Sequence, residues 1–299
     1  MQRCTQKAPA PKRGFTLVEL LVVIAIIALL MAILLPQLGK AFGTAKSLED
    51  KTRLKGIYSA TVLDASGNEG NLPRPSDYAK DYPDADHDTS DTTSNLMSML
   101  IARNYFESNF LISPVEANPN IGDIDGEENV YDFDSIDGEN VFWDDQFNAD
   151  VSTANATTQV HNSYAHQALW GERPRLKWTT LASTSDVIFS NRGVELVEIS
   201  PGILGYAIDD SFTLQFHGET DQWSGNIVCG DGSTKLVNSV MPNSIAYQPL
   251  NGMPLGPDNL FEADWGDIDP NDSKKSGDNW LVICTQVDVT NDVFTNVWD

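Results

Sequence analysis

The sequence predicts an α+β protein in which one long amino-terminal helix, half membrane-type and half amphipathic, packs on an antiparallel β-sheet head. An apolar run spans Phe15 to Leu35 and carries a single charge, Glu19. Beyond it, apolar residues from Leu38 to Val62 recur mostly at three- and four-residue steps, with Lys, Arg, Asp and Glu between them. From about Ala165 onward, short β-branched or aromatic segments are bounded by Gly, Asp and Asn, the pattern of strands joined by turns.

The chain has 299 residues, enough for one large domain or two ordinary ones with a proper core. Its net charge is −24, from 43 acidic and 19 basic residues. Four of the basic ones, Arg3, Lys7, Lys12 and Arg13, precede the apolar run, so the chain after Gly14 is more acidic still. Such a surface repels nucleic acid and anionic headgroups, and it attracts divalent cations or basic partners. Nucleic-acid binding is therefore not expected.

As a helix, the run from Phe15 to Leu35 is about 31 Å long, which matches the hydrocarbon core of a bilayer. The cationic segment ahead of it should stay cytoplasmic and place the rest of the chain on the far side. A cleaved secretory signal has a shorter apolar core and a small-x-small cleavage site, and "LLPQLGKA" supplies a poor one. A plain anchor accounts for length and orientation but not for Glu19, which costs on the order of 2 kcal/mol or more in an apolar span.

The stretch "RGFTLVELLVVIAIIALLMAILLP", Arg13 to Pro36, resembles the class III signal of type IV pilins and type II secretion pseudopilins, close to residue for residue. The resemblance implies that a prepilin peptidase cuts between Gly14 and Phe15 and that the new amino group of Phe15 is methylated. It also implies that Glu19 pairs with the amino terminus of a neighbouring subunit during filament assembly. The physics agrees, because a carboxylate packed against a new cation in low dielectric neutralises it. The implied partners are copies of the chain, other pilins and pseudopilins, the peptidase and an inner-membrane assembly platform. The implied location is a single-pass inner-membrane protein with a periplasmic head, and a periplasmic or cell-surface filament after assembly.

Pro36 removes one backbone donor and kinks a helix rather than necessarily ending it, so it is read as part of the assembly helix. The helical pattern stops near "DASGNEGNLP", where Gly67, Gly70 and Pro73 are breakers. The expected organisation is a leader over 1–14, a transmembrane and assembly helix over 15–35, its amphipathic continuation over 36–66, and a head over 67–299. Proteins that share the signal have this pilin-like architecture.

In the head, "NLPRPSDYAKDYPDADHDTSDTTS" reads as an exposed loop, "NLMSMLIARNYF" as a short helix, and residues 113–160 as loops with isolated short strands. Five segments read as containing strands: "ALWGERPRLKWTTL", "DVIFSNRG", "SFTLQFHG", "GNIVCGDGSTKLV" and "NWLVICTQVDV". "HGETDQWSGNIVCGDGSTKLV" resembles a motif of planctomycete-type prepilin-like proteins, in which a His precedes an apolar strand and Asp-Gly. Here thirteen residues separate His217 from Asp231 and Gly232, a longer spacer than the group's usual one. Asp231-Gly232 is also an ordinary hairpin turn, and a structural role is the expectation for His217.

Hard cations need clustered oxygen ligands on turning backbone. In "DIDPNDSKKSGD", Asp267, Asp269 and Asn271 stand at alternate positions and Asp278 at the twelfth, like a calcium loop, although Asp272 replaces the glycine needed at the sixth. Asp84, Asp86 and Asp88 repeat the alternate spacing with no acidic twelfth residue and read as a solvated loop. Pseudopilins with a similar first helix bind calcium in a carboxy-terminal loop, so calcium is the one cofactor expected. Cys229 and Cys284 form either an exported disulfide or two buried thiols.

No H-E-x-x-H, C-x-x-C, G-x-S-x-G or G-x-G-x-x-G pattern is present, and four scattered histidines offer no metal spacing. No residue is expected to be catalytic. The seven tryptophans are expected in the core and sheet. The expected function is that of a prepilin-like structural subunit. The alternative is a membrane-tethered, non-polymerising binding or adhesion protein with an acidic, calcium-binding head.

Overall fold

A computed structural model describes residues 16–80, 87–123, 143–144, 146–194, 196–200, 203–206, 211–217, 222–247, 256–263 and 277–298. The first helix, α1, runs Leu17–Ala65 without interruption at Pro36. It ends where the sequence places the breakers: Gly70 takes a φ of 85°, and its amide closes on the Ala65 carbonyl at 3.1 Å.

The chain divides into two compact units, Met1–Ala45 and Lys46–Asp299. In the first, the large apolar side chains from Leu17 to Leu35 are 44–79% exposed, so no neighbour within that described stretch of helix covers them. Among the described residues α1 is the one helix long and apolar enough to cross a membrane.

The second unit is the head together with the last turns of α1. Asp50, Leu54, Ile57, Tyr58, Thr61, Asp64 and Ala65 are buried, the spacing of a single helical face. That stripe meets a six-stranded antiparallel sheet built from β1 (Tyr164–Gln167), β2 (Val187–Asn191), β5 (Gly225–Cys229), β6 (Thr234–Val237), β9 (Leu281–Asp288) and β10 (Val293–Val297). The strand order is β10-β9-β1-β2-β5-β6. Two-stranded ribbons form from β3 (Leu196–Ser200) with β4 (Ile203–Tyr206) and from β7 (Ala246–Tyr247) with β8 (Gly256–Pro257).

The strands β1, β2 and β5 are buried along their whole length, as central strands covered on both faces are. Of the short helices, α3 (Thr93–Ala102) packs on β9, and α2 (Pro75–Ala79) packs on α3. Thr92 caps α3 by accepting from the Asn95 amide at 3.2 Å. Thr93 then links α3 to the sheet: its hydroxyl accepts from the Cys284 amide at 2.7 Å and donates to His166 Nε2 at 2.9 Å. His166 Nδ1 donates to the Gln167 carbonyl at 2.9 Å, and burial lowers the ring's pKa to about 4, which keeps it neutral near pH 7 with Nε2 as the acceptor.

Several expected strands need correction. "ALWGERPRLKWTTL" begins at the end of β1 but its centre is a short helix, α4 (Arg173–Lys177), with Pro174 in the first turn, where proline's fixed φ suits a helix. "SFTLQFHG" is a 3₁₀ turn, Thr213–Gln215; its apolar alternation covers too few residues to distinguish a strand. The edge strand β10 and both ribbons lie beyond the expected set.

Cys229 and Cys284 are both free and buried. They sit on β5 and β9, with β1 and β2 between. Three strand steps place them about 14 Å apart, far beyond disulfide reach. The disulfide expectation is therefore corrected to two buried thiols. Burial pushes the Cys284 thiol up to about 12 and raises that of Cys229, which makes both unreactive.

Candidate functional site

Glu19 is the third residue of α1, with Thr16 as the residue before the helix. The Thr16 amide and hydroxyl each donate to Glu19 Oε2 at 2.8 Å, and the Glu19 amide donates back to Thr16 Oγ1 at 3.2 Å. This is a reciprocal capping box, which satisfies amide donors that a helix start leaves open. The T-x-x-E spacing that announces it is legible in "FTLVE" and adds an intrachain role to Glu19 that the assembly reading omits. Gly14 and Phe15 lie outside the described residues.

Two carboxylates on the buried stripe of α1 fix the helix in the head. Asp50 is fully buried. Its Oδ1 accepts from Tyr164 OH at 2.9 Å, Asn191 Nδ2 at 3.2 Å and the Ser113 hydroxyl, and its Oδ2 accepts from Asn226 Nδ2 at 2.6 Å. Neutral donors from β1, β2, β5 and the loop after α3 thus converge on one helical residue, and none of these bonds comes from a cation. Asp64, two turns before the glycine stop, accepts from Tyr78 OH at 2.6 Å, Tyr105 OH at 2.9 Å and Arg103 Nη1. The Arg103 guanidinium also lies 4.0 Å from the Tyr78 ring centroid.

The His217, Asp231 and Gly232 motif surrounds the same stretch of helix. Asp231 is an exposed turn residue whose Oδ1 accepts from the Ser233 amide at 2.9 Å. Gly232 has a φ of 76°, and a Cβ there would stand 3.2 Å from Tyr58 Cε1. Its carbonyl accepts from Lys55 Nζ at 3.0 Å, and the Gly230 carbonyl accepts from Tyr58 OH. The β5–β6 turn is therefore a clasp on α1. His217 follows the 3₁₀ turn, with a buried Nε2 that makes no hydrogen bond. Burial lowers its pKa, and the Asp50 charge opposes that shift.

Of the expected calcium ligands, Asp267, Asp269 and Asn271 lie outside the described residues. Asp278 is fully buried and forms an ion pair with the equally buried Arg173, whose guanidinium lies 4.9 Å from the Trp280 ring centroid. A carboxylate already neutralised by an internal guanidinium does not fit the twelfth position of a calcium loop. Nor is there any group of three metal-type ligands among the described residues. Asp88 takes part in tying the head together: its carboxylate accepts from Thr290 Oγ1 at 2.7 Å, and its carbonyl from the Val289 amide at 3.1 Å.

Sequence reasoning did not find Asp50, Asp64, Asn226 or Arg103, which carry the attachment of α1 to the head. The available signal was the presence of two acidic residues on the apolar stripe of an amphipathic helix, where charge is costly unless satisfied.

Residues 10–35 match the family described as Prokaryotic N-terminal methylation motif. The type IV major pilin protein PilA of Myxococcus xanthus (strain DK1622) is 50% identical over 48 residues, which is 16% of this chain and 22% of that pilin. The similarity thus spans about a fifth of the relative's length and leaves most of the head unmatched. No solved structure matches the chain. With its long apolar first helix and antiparallel sheet, the chain has a pilin-like architecture and carries, at its amino terminus, the prokaryotic N-terminal methylation motif of the prepilin type.

Proposed function

We propose that the chain is a prepilin-like structural subunit. A prepilin peptidase cleaves it after Gly14 and methylates Phe15, and the mature chain assembles through α1 into a type IV pilus-like filament or a secretion pseudopilus. The observation that carries this reading is the methylation motif over residues 10–35, within which the large apolar side chains from Leu17 to Leu35 stand exposed. Such a surface is stable only in lipid or against other apolar helices. On this reading copies of the chain, other pilins and an inner-membrane platform are the partners, and the head is periplasmic.

The capping box gives the assembly step a definite form. Before assembly, Glu19 satisfies its lone pairs on Thr16. In the filament a neighbour's Phe15 ammonium replaces or joins that neutral donor set, and a charge-assisted bond of this kind is about twice as strong as a neutral one. Mass spectrometry of the native protein should find a chain that begins at methylated Phe15; an intact leader sinks the reading. Glu19→Ala should abolish filaments seen by electron microscopy while the protein stays in the membrane fraction. Thr16→Ala, which removes the hydroxyl contacts of the cap and keeps the backbone donor and the carboxylate, should still assemble. If both variants lose filaments alike, capping rather than pairing is what assembly needs. If the wild type forms none under any condition, the tethered, non-polymerising reading takes over.

Calcium binding is a separate proposal and rests on the alternate spacing of Asp267, Asp269 and Asn271. A chelator added to the detergent-solubilised chain should lower its melting temperature by several degrees, following the linkage between ligand binding and stability. An unchanged melting curve removes the proposal.

A further inference from the structure

Three side chains from separate parts of the chain meet at the start of β2. Lys177 is the last residue of α4, Asp258 follows β8, and Asn279 stands two residues before β9. They are 5%, 2% and 0% exposed. Lys177 Nζ donates to Asp186 Oδ1 at 2.5 Å and to Asn279 Oδ1 at 3.4 Å. Asn279 Oδ1 also accepts from the Val187 amide at 2.7 Å, and its Nδ2 donates to Asp258 Oδ2 at 2.8 Å and to the Ser185 carbonyl at 3.0 Å. Asp258 Oδ1 is buried and finds no hydrogen-bond partner among the described residues. A primary amine, a carboxamide and a carboxyl group with one idle oxygen are thus held together away from water.

We propose that Lys177 and Asn279 become joined by an intramolecular isopeptide bond, with Asp258 carrying protons and ammonia leaving. Lys177 gives one ammonium proton to Asp186, which turns a buried ion pair into a neutral pair and exposes the nitrogen lone pair. That lone pair attacks Asn279 Cγ, and the negative charge that builds on Oδ1 is met by the Val187 amide already bonded to it. Asp258 donates its proton to Nδ2, the Cγ–Nδ2 bond breaks, and the attacking nitrogen returns a proton to Asp258. The products are the amide between Lys177 Nζ and Asn279 Cγ and ammonia, which leaves as ammonium with the proton taken up by Asp186.

The two carboxyl groups suit these parts. Burial pushes the Asp258 pKa up to about 7 against the Asn279 hydrogen bonds, so near neutral pH it both holds and releases a proton. Burial also raises the Asp186 pKa, but the Lys177 charge and the Ser183 hydrogen bonds outweigh it, so Asp186 is the carboxylate of the set. The reaction runs once per chain and needs buried proximity rather than fast turnover. A metal ion fits the carboxylates less well, because Lys177 and Arg173 already supply cations to Asp186 and Asp278. The bond would tie α4 to the start of β9 across a sequence separation of 102 and constrain the unfolded chain as a disulfide does, whether or not the chain polymerises.

The test is peptide mapping by mass spectrometry of the full chain purified in detergent. Trypsin should yield a branched species that joins 176–192 to 276–299, uncut after Lys177, with the mass of the two peptides less one ammonia. Lys177→Arg should release 276–299 as a linear peptide. Asp258→Asn, with unchanged near-ultraviolet circular dichroism, should leave most chains unjoined, since a positioned general acid–base group contributes about a hundredfold or more. Linear peptides alone from the wild type, a branch through a different lysine, or full joining in the folded Asp258→Asn variant would each overturn the proposal. The wild-type map decides the bond even if a variant fails to fold.

Discussion

Asp50 and Asn226 set each other's orientation. Asn226 Nδ2 donates to Asp50 Oδ2 at 2.6 Å and to the Ser47 carbonyl at 3.2 Å, which leaves its own Oδ1 buried without a partner. Asp50→Ala strands the hydroxyls of Ser113 and Tyr164 and the amides of Asn191 and Asn226, and it should cost about 2–4 kcal/mol as several buried donors lose an acceptor. Asp50→Asn should cost distinctly less, because the Asn226 amide can flip and offer its idle oxygen to the new NH₂ group. Chemical denaturation of the detergent-solubilised variants checks the order; an Asn variant as unstable as the Ala variant would mean that the negative charge itself is required.

At the scale of an element, the β5–β6 hairpin carries the attachment to α1. Its strand positions are legible from "NIVC" and "TKLV", and its turn from Asp-Gly; what the turn touches is not. Gly232 combines a left-handed backbone with a tight approach to Tyr58, so Gly232→Val should cost about 1–2 kcal/mol for the backbone alone and more for the contact. Its signature is a lower melting temperature accompanied by loss of protection from hydrogen exchange at α1 residues near Tyr58. If exchange at that helix is unchanged, the hairpin is not a clasp. α1 itself shows the converse, since its full length is predictable from periodicity and breakers while its capping box needs only the local T-x-x-E spacing.

For the whole molecule, buried titratable groups give stability a defined pH profile. Asp258 has a pKa pushed up to about 7, first by burial, while hydrogen bonds from Asn279 lower it and the neighbouring Asp278 charge raises it. In the fold it holds a proton that the unfolded chain releases near pH 4, so stability falls as pH rises between about 4 and 7. His166, lowered to about 4, refuses a proton that the unfolded chain takes up near pH 6.5, so it makes stability rise between about 4 and 6.5. His161 and His217, both lowered by burial, act in the same direction as His166. Asp258 offsets about one of the three histidines below pH 6.5, so a shallow rise remains there, and above pH 6.5 Asp258 alone gives a decline toward pH 7. Asp258→Asn should remove that decline and steepen the rise across the acidic range, measured as melting temperature against pH. A variant profile parallel to the wild type would show that Asp258 does not hold the proton.

The sequence by itself determined the amino-terminal helix, its membrane-type half, the methylation signal and most of the central strands. Each is written in local spacing: an unbroken apolar run, a residue-for-residue motif, a two-residue period ending at Asp-Gly. Only the tertiary structure decided that Asp50 and Asp64 hold α1 to the head, that Cys229 and Cys284 sit three strands apart, that Asp278 belongs to Arg173, and that Lys177, Asp258 and Asn279 meet in one buried cluster. These are pairings between segments far apart in sequence. Their energies come from burial and hydrogen-bond satisfaction, which no local window of residues contains.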